Sequence, residues 1–562
     1  MPVRTTLFVL LGLACGPSVA PVPETARLER VPSVQEVRPS ETQVISILGT
    51  NDVHGHIETL AAFSGYVRNL REERGGAVVL VDAGDMWQGT LPSNLEEGAP
   101  VVAAYNAIGF DAAALGNHEF DYGPVGPRAT PQQGEDRRGA LLARASEARF
   151  AMLAANFLDA ASGQPIEWRG VRPTALVERA GVTIGVVGVS TFETPSTTIA
   201  ANVDDLRMAP LAETIERHAR ALRDDGAQVV VVAAHAGAEC TSLDDPDDLS
   251  TCDDGEIFEV ARALPEGLVD VIVAGHTHKA LAHRVNGIAI IESYALGRAF
   301  GRVDVTLEGG RVRNAEIFQP QDVCTECGDA RYAGRPIEVD AAIASLVQPA
   351  IDRAEGELRR SLRVRLRAPF TRDYRNESAA GNLLADLIRE ARPRADLAIF
   401  NAGGVRADLP EGELRYGALY ETFPFDNRFA SVRLTGAQLR DIVRFNLMQS
   451  SGTLLFSGVE IRARCEGDAL NVEITRRGRR VRDEDQLDVV TSDYLATTPI
   501  FTGLPEDALQ IEDELIRDAI AEALSRRGGQ LDPARHYDPE RPRVRLPSPR
   551  PVECGTPSSS ES

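Results

Sequence analysis

The chain has little positive charge, and almost all of it comes from arginine. Its 562 residues include 60 basic and 83 acidic side chains, giving a formal net charge of −23, and the only lysine is Lys279. Such a surface repels polyanions, which argues against binding to a long nucleic-acid backbone. A small anionic substrate can still bind where metal ions reverse the local field. Arginine suits planar contacts to phosphates and bases, although a bias in genome composition explains its excess equally well.

Long apolar segments are also missing, because no stretch after residue 20 is apolar enough to cross a membrane. Residues 1–20 are typical of a signal peptide, with Arg4 in the charged part and a short apolar stretch at 7–14. Two cleavage sites remain open: residues 12–15 resemble a lipobox ending at Cys15, with Gly in place of the usual Leu, and residues 18–20 suit an ordinary signal peptidase. We expect an exported protein of the periplasm or cell envelope, anchored by lipid on Cys15, with residues 21–42 as a flexible tether.

The cysteine count favours the same compartment. Six of the seven cysteines remain once Cys15 carries lipid, an even number that suits disulfides under oxidising conditions. One pair has the C-x-x-C spacing of a redox or zinc site, but a zinc site would need a second ligand pair nearby, and there is none. The predicted disulfides join Cys324 to Cys327, Cys240 to Cys252 across an Asp-rich loop, and Cys465 to Cys554, which would tie the tail to a second domain.

Length and patterning predict an α/β protein with two domains. A chain of 562 residues is too long for one hydrophobic core. Residues 43–318 alternate apolar runs with helix-like stretches, as βαβ units do. Residues 340–361 show helical spacing of apolar side chains and predict a connecting helix. The Pro- and Ser-rich segment 546–562 has too little apolar content to fold alone, so we expect a disordered tail.

Five apolar runs in the first half each end on residues that bind metals. These runs are typical of buried parallel strands, and the polar residues then lie just past the carboxyl ends of the strands, where open α/β sheets bind their ligands. A single histidine at such a place is usually a packed or capping residue, but five such ends together argue for a site. The runs end at Asp52-Val53-His54, Gly84-Asp85, Gly116-Asn117-His118-Glu119, His235 and Gly275-His276-Thr277-His278.

These residue types suit a pair of divalent cations. Two ions about 3.5–4 Å apart can clamp the attacking and leaving oxygens of an in-line displacement. Such a pair needs a bridging carboxylate, for which Asp85 is the candidate. Imidazole and carboxylate groups suit Zn, Mn or Fe, whereas the amide oxygen of Asn117 is a weaker, harder donor. Cysteine is absent from all five ends, which argues against a structural thiolate zinc site.

The order of these motifs resembles that of the calcineurin-like metallophosphoesterases. The strings T-N-D-V-H-G-H at 50–56 and G-N-H-E-F-D at 116–121 are similar to those of the secreted bacterial 5′-nucleotidase and 2′,3′-cyclic-nucleotide phosphodiesterase branch, and the resemblance covers residues 43–505. It implies an αββα metallophosphoesterase sandwich at 43–318 and a linker with a connecting helix at 319–360. It also implies a smaller α/β substrate-binding C-terminal domain at 361–545.

The resemblance also implies the ligand set and two ions of Zn, Mn, Fe or Co. Many relatives have Gln where this chain has His278, which leaves the preferred metal open. One ion would take Asp52, His54, Asp85 and His278, and the other Asp85, Asn117, His235 and His276.

His118 and Asp121 match the catalytic pair of this family. Neighbouring side chains diverge, so His118 cannot easily reach the ion held by Asn117. The resemblance implies that His118 stabilises the transferring phosphoryl group with Asp121 as its partner, while a metal-bound hydroxide attacks. The alternative is that His118 only caps the helix that follows. His56 and His283 lack such a context and are expected at the surface.

The substrate residues follow from the resemblance alone. The substrate positions would be Arg375, Asn401, Arg406, Phe425 and Tyr494, with the last two stacking on a nucleobase. Phe425 and Tyr494 could instead be core residues, and the spacing of Arg375 is one residue off the commonest pattern. Residues 496–501 read A-T-T-P-I-F where nucleotidases have N-G-G-D-G-F, so the ribose-binding aspartate is missing.

We therefore predict an exported dinuclear-metal phosphohydrolase that releases phosphate from 5′-nucleotides. The alternatives are hydrolysis of 2′,3′-cyclic nucleotides, nucleotide sugars or other phosphoesters, hydrolysis of thiosulfate groups, and a non-catalytic surface binding protein. The expected partner is a small nucleotide rather than a long nucleic acid, with membrane contact only through the lipid anchor. The sequence leaves the oligomeric state open.

Overall fold

A computed structural model describes residues 42–555 apart from 127–128, 132–133, 325, 451, 497 and 502–507. The predicted signal peptide, the lipid attachment at Cys15 and nearly all of the predicted tether lie outside these residues. Within the described part of the chain, no helix combines the length and the hydropathy that crossing a membrane would require.

The first half of the chain alternates strands with helices. Its strands are β1 (Gln43–Thr50), β2 (Val78–Asp82), β3 (Ala112–Ala114), β4 (Ala151–Leu153), β5 (Phe157–Asp159), β6 (Val171–Arg172), β7 (Thr174–Arg179), β8 (Val182–Ser190), β9 (Leu206–Met208), β10 (Val229–His235), β11 (Val271–Ala274), β12 (Ala280–Val285), β13 (Ile288–Ser293), β14 (Ala299–Glu308) and β15 (Arg311–Asp322). Its helices are α1 (Leu60–Glu73), α2 (Leu91–Asn94), α3 (Ala99–Ile108), α4 (Gly139–Glu147), α5 (Thr194–Thr197), α6 (Ala200–Val203), α7 (Leu211–Asp224) and α8 (Glu256–Ala263).

Two sheets of this half pack face to face. Their strand orders are β15-β14-β1-β2-β3-β4-β6 and β12-β13-β11-β10-β8-β7. Side chains such as Ile47, Val81, Val231 and Val273 fill the space between them. Helices α1, α3 and α4 cover the outer face of the first sheet, and α7 and α8 cover the second. The central strands β2, β10 and β11 are largely apolar because both of their faces are covered, and the predicted αββα sandwich is confirmed.

Helix α9 (Ala341–Leu358) connects the two halves, after the short strands β16 (Arg331–Tyr332) and β17 (Arg335–Pro336). It begins at Asp340, whose carboxylate accepts the backbone amides of the first turn. Ile343, Val347 and Ala350 pack into the core of the first half, whereas Ala354 packs into the core of the second. The helix therefore belongs to both cores.

The second half is also α/β, as predicted. Its elements are β18 (Ser361–Leu366), α10 (Ala379–Ala391), β19 (Leu397–Asn401), β20 (Gly412–Arg415), α11 (Tyr416–Thr422), β21 (Arg428–Thr435), α12 (Gly436–Leu447), β22 (Leu454–Ser457), β23 (Glu460–Glu466), β24 (Ala469–Arg476), β25 (Arg479–Arg480), β26 (Gln486–Ser492), α13 (Asp493–Ala496), β27 (Leu509–Leu515), α14 (Ile516–Arg527), β28 (Gly529–Leu531) and β29 (Val544–Arg545). The central sheet has the order β22-β19-β26-β21-β27. Successive residues of β19 enter different cores, since side chains alternate across a sheet.

The three predicted disulfides are confirmed, and the end of the chain is more ordered than its composition suggests. The bonds join Cys240 to Cys252, Cys324 to Cys327 and Cys465 to Cys554. The expectation of a disordered tail is wrong for residues 546–555. Val552 is buried in the second half, and Arg550 donates to Asn446 and Thr453. The disulfide at Cys554 adds the anchor that the tail's few apolar residues could not supply.

Candidate metal centre and substrate cleft

The seven side chains predicted to bind metal come together at one end of the sandwich. They lie at or just past the carboxyl ends of β1, β2, β3, β10 and β11, and these strands belong to both sheets. Asp52 Oδ1 lies 3.4 Å from His278 Nε2, and Asp85 Oδ2 lies 3.8 Å from His54 Nε2 and 3.2 Å from His235 Nε2. Asp85 therefore lies between two groups of ligand atoms.

The remaining two residues complete the second group. Asn117 Oδ1 lies 2.9 Å from His235 Nε2, and His276 Nδ1 lies 3.2 Å from the same nitrogen. In the first group, the Nε2 atoms of His54 and His278 are 3.0 Å apart. Converging imidazole nitrogens and carboxylate oxygens of this kind could hold metal ions.

The carboxylate oxygens of Asp52 give a further indication that these side chains suit divalent ions. Asp52 Oδ2 accepts from Asn51 Nδ2 at 2.8 Å and from the His276 amide at 2.9 Å. Asp52 Oδ1 is buried, faces His278, and has no hydrogen-bond partner among the described residues. An unsatisfied buried carboxylate oxygen is costly, and a cation at this point would satisfy it.

The backbone at this centre is strained. Five of the seven predicted ligands have a positive φ without being glycine: Asp52 at 49°, His54 at 48°, Asp85 at 56°, His276 at 78° and His278 at 60°. Each such residue costs about 1–3 kcal/mol and persists only where its surroundings hold it. Strain of this kind clusters at functional sites, so the strand ends require bracing from neighbouring residues.

Glu119 supplies part of that bracing, a role that sequence reasoning missed. Its carboxylate accepts the backbone amides of Asp85 at 2.9 Å, Met86 at 2.8 Å and Gly116 at 2.6 Å, which joins the loops after β2 and β3. Gly116 is needed here because a Cβ would lie 2.1 Å from Asp85 Oδ1. The G-N-H-E string contained the signal, but nothing local to it indicates which amides the carboxylate reaches.

The charges of the centre depend on burial and on the facing groups. Burial alone would raise the pKa of Asp52 and of Asp85, but the imidazoles, chiefly His278 for Asp52 and His235 for Asp85, hold both pKa values well below the ordinary one. Burial and His278 lower the pKa of His54 to about 3, which leaves a neutral ring able to bind a metal. Burial would lower the pKa of His235, yet Asp85 raises it to about 10, and a bound cation would displace that proton.

His118 and Asp121 form a pair beside this centre. His118 Nδ1 lies 2.5 Å from Asp121 Oδ2, and the other carboxylate oxygen accepts from Thr198 Oγ1 at 2.8 Å. Burial alone would lower the pKa of His118. Asp121 and Asp85 outweigh this effect and raise the pKa above its ordinary value, which favours the charged imidazole. The residue starts a 3-10 turn (His118–Phe120) that has no side-chain cap, so the capping alternative finds no support.

A cleft of about 610 Å³ runs from the metal centre to the second half of the chain. Four of the five predicted substrate residues line it: Asn401, Arg406, Phe425 and Tyr494. The cleft also contains exposed rings of Tyr374 and Phe445, which no sequence motif indicated. Glu193 lines the wall near the metal centre, with its Oε2 3.6 Å from His276 Nε2.

Arg375, the fifth predicted substrate residue, is exposed and is not among the residues that line the cleft. Asp373 accepts the amides of Arg375 and Asn376, which fixes the turn that precedes α10. Solvent reaches Arg406 through the cleft, but its crowded surroundings and the charge of Arg372 lower its pKa.

The two predicted stacking residues contact the first half of the chain. The ring of Phe425 lies 5.7 Å from that of His118 with 23° between their planes, and the guanidinium of Arg406 is 5.7 Å from the Phe425 ring. The Tyr494 hydroxyl donates to the Ser196 carbonyl at 3.2 Å, and burial raises its pKa to about 12. Phe425 also packs against the core of the second half, so its two predicted roles are compatible.

The other two histidines singled out in the sequence lie outside the cleft lining. His56 is half-buried and pairs with Glu58 at 2.7 Å. The expectation that His283 is a surface residue is wrong. It lies on β12 with its side chain buried, and its Nε2 is 3.9 Å from Cys252 Sγ. The disulfide-closed loop covers it, which the sequence spacing does not indicate.

Two family models match the chain. Residues 45–280 match the calcineurin-like phosphoesterase model, and residues 357–499 match the 5′-nucleotidase C-terminal domain. The chain is 24% identical over 520 residues to the 5′-nucleotidase of Vibrio cholerae, covering 84% of this chain and 87% of that protein. It is 25% identical over 441 residues to the protein UshA of Escherichia coli, covering 71% and 76%.

Other relatives are much longer than the matched region. The endonuclease YhcR of Bacillus subtilis is 25% identical over 436 residues, which cover 73% of this chain but 33% of that protein. The match to the cell wall protein Lmo0130 of Listeria monocytogenes, at 27% identity, covers 71% of this chain and 56% of that protein. The chain thus spans between a third and just over half of these two relatives.

Solved structures share the fold. A 5′-nucleotidase precursor from Thermus thermophilus superposes with a TM-score of 0.68 at 22% identity, covering 86% of this chain and 97% of that one. The sulfate thiohydrolase SoxB of the same organism reaches 0.66 at 16% identity, covering 91% and 98%. The same architecture thus occurs in proteins named for different chemistry, so the side chains of the cleft must decide the substrate.

Proposed function

Because this chain belongs to the metal-dependent calcineurin-like phosphoesterases that carry a 5′-nucleotidase C-terminal domain, we propose that it is an exported phosphohydrolase releasing phosphate from 5′-nucleotides. One observation carries the proposal. The His118–Asp121 pair lies in a single cleft between the converging ligand residues and the aromatic wall formed by Phe425 and Tyr494.

We propose two divalent ions, of Zn, Mn, Fe or Co, at the seven predicted ligands. Asp52, His54, Asp85 and His278 would hold one ion, and Asp85, Asn117, His235 and His276 the other. When bound, the ions would polarise the phosphoryl oxygens and lower the pKa of an attacking water. The unsatisfied Asp52 Oδ1 and the facing pair His54 and His278 support the first position.

The protein's own contribution is to position the phosphoryl group and stabilise its charge. His118, kept charged by Asp121, would donate to a phosphoryl oxygen as negative charge develops. Arg406 brings a second positive charge to the same cleft. Phosphoryl transfer depends mainly on such positioning and electrostatics.

The nucleobase would lie between the aromatic rings of the cleft. Phe425 supplies one face and Tyr494 the other, with stacking worth about 1–3 kcal/mol per base. The amide of Asn401 in the same cleft offers both a donor and an acceptor to a base edge.

The residues of the cleft between 496 and 500 favour a second candidate function. Thr498 and Ile500 line the cleft there, and they offer no carboxylate to ribose hydroxyls. This favours some breadth toward 2′,3′-cyclic nucleotides, nucleotide sugars or other phosphoesters.

Export is supported by the three disulfides, which suit an oxidising compartment. The relative Lmo0130 is a cell wall protein by name. A lipid anchor at Cys15 remains our proposal, and mass spectrometry of the mature N-terminus would test it.

A substrate panel tests the proposed reaction. Phosphate release would be measured for AMP, ATP, UDP-glucose, 2′,3′-cyclic AMP and p-nitrophenyl phosphate, before and after chelation and after addition of Mn²⁺ or Co²⁺. We expect chelator-sensitive turnover with AMP among the best substrates. If the protein hydrolyses p-nitrophenyl phosphate but none of the nucleotides, the nucleotidase proposal is contradicted. No turnover at all would favour a non-catalytic binding protein.

A further inference from the structure

Glu292 is a buried acid that the proposed reaction does not use. It lies near the end of β13 with no solvent exposure, and it is not part of the cleft lining. Its Oε1 accepts from Thr277 Oγ1 at 2.6 Å and, more weakly, from the Lys279 amide at 3.4 Å. Thr277 is the residue between the predicted ligands His276 and His278, so the Glu292 carboxyl group contacts the centre of the loop that carries both.

That loop needs an external brace. His276 and His278 both have a left-handed backbone, with φ of 78° and 60°. Strained residues of this kind relax unless their surroundings hold them. The Thr277 hydroxyl contacts Glu292 and, at 3.1 Å, the carbonyl of Ala238. Glu292 is the only one of these two partners that a side-chain substitution can remove.

The loop that follows His235 also packs against Glu292 and Thr277. A Cβ on Gly237 would lie 2.5 Å from Glu292 Oε2 and 2.8 Å from Thr277 Oγ1. The glycine therefore allows the loops after β10 and β11 to meet on the carboxyl group. Next to it, the Ser293 amide donates to Asn51 Oδ1 at 2.8 Å, and Asn51 in turn donates to Asp52.

We propose that Glu292 is a positioning residue for the metal centre, which holds His276 and His278 in their strained geometry through Thr277. The inference rests on the ligand set of the proposed function. Residues that orient metal ligands typically contribute about 10–100-fold to metal affinity. Glu292 would act on metal binding without touching the substrate.

Three variants separate this role from a merely structural one. Glu292→Met keeps the approximate volume and removes the acceptor, Thr277→Val keeps the shape and removes the donor, and Glu292→Gln keeps both the shape and an acceptor oxygen. The affinity of the full chain for Mn²⁺ would be measured by titration calorimetry without substrate. The Tm of the metal-free protein would be measured in parallel.

We expect Glu292→Met and Thr277→Val to weaken Mn²⁺ binding by about 10–100-fold without lowering the metal-free Tm, while Glu292→Gln binds nearly as the parent does. Thr277→Val keeps the test decisive if Glu292→Met fails to fold. Parent-like affinity in Thr277→Val, or a loss in Glu292→Gln as large as in Glu292→Met, would overturn the inference alone. A parent protein that binds no Mn²⁺ would instead contradict the proposed function on which the inference rests.

Discussion

At the scale of single residues, the two ligand groups meet at Asp85. Its Oδ2 faces one imidazole from each group, and its Oδ1 accepts the His118 amide at 2.9 Å. The side chain thus joins the predicted metal positions to the predicted catalytic histidine.

Asp85→Asn should lower activity by several orders of magnitude and also reduce metal content, because an amide is a weaker ligand than a carboxylate between two ions. Metal analysis and turnover of p-nitrophenyl phosphate would be measured together. Asp224→Asn, an exposed acid at the end of α7, is the matched control. An Asp85→Asn protein with two metals and near-normal turnover would show that the carboxylate does not bridge.

His118→Ala should reduce kcat by about 10²–10³-fold and leave the metal stoichiometry intact. The imidazole faces Asp121 and the cleft, and its loss removes one charge-stabilising contact without removing a ligand. His56→Ala, outside the cleft, serves as the control. An empty metal site in His118→Ala would identify His118 as a ligand and refute its assigned role.

Arg406→Ala and Arg375→Ala should behave differently, since only Arg406 lines the cleft. Hydrogen bonds to charged groups contribute about 1.5–3 kcal/mol, so kcat/KM for AMP should fall roughly 10–100-fold in Arg406→Ala. Arg375→Ala should change it little. Steady-state kinetics with AMP would distinguish them, and equal losses would mean that the loop moves Arg375 into the site when substrate binds.

At the scale of elements, the cleft exists because loops from both halves face each other. The segment after α11 brings Phe425 against His118, and α13 brings Tyr494 against Ser196, just after α5 begins. On the other side, Asn94 at the end of α2 donates to the Tyr420 hydroxyl at 2.6 Å. These contacts place the aromatic wall a short distance from the metal centre.

Phe425→Ala should separate base recognition from phosphoryl chemistry. Loss of stacking worth about 1–3 kcal/mol should raise KM for AMP by roughly one to two decades. Turnover of p-nitrophenyl phosphate, which has no nucleobase, should change far less. Equal losses for both substrates, with a lower Tm, would mean that the residue acts mainly through the core it also contacts.

At the scale of the whole molecule, the chain is held by contacts distant in sequence. The Cys465–Cys554 disulfide closes a sequence separation of 89 residues, whereas Cys324–Cys327 closes one of 3. A disulfide that closes a longer loop removes more conformational entropy from the unfolded chain and so stabilises the folded protein more.

Replacing Cys465 and Cys554 by serine should therefore lower the stability of the protein by about 2–4 kcal/mol. The same change at Cys324 and Cys327 should have a smaller effect. Thermal unfolding of both double variants would measure the difference. Turnover of p-nitrophenyl phosphate should persist in each at low temperature, because neither pair touches the metal centre, and an equal fall in Tm would contradict the entropic explanation.

The amino-acid sequence by itself determined the sandwich, the second α/β half, the cysteine pairs and the residues that come together at the strand ends. The strand ends follow from local patterns, since apolar runs ending on Asp, Asn and His indicate both the strands and the edge where parallel strands finish. The layering of the sandwich and the nature of the second half followed instead from the resemblance to a known family. Only the tertiary structure decided that Glu119 and Glu292 brace the ligand loops, that Arg406 and not Arg375 reaches the cleft, and that His283 and Val552 of the tail are buried. These outcomes depend on contacts between segments far apart in the chain and on the direction in which each turn carries its side chains, and no local spacing encodes either.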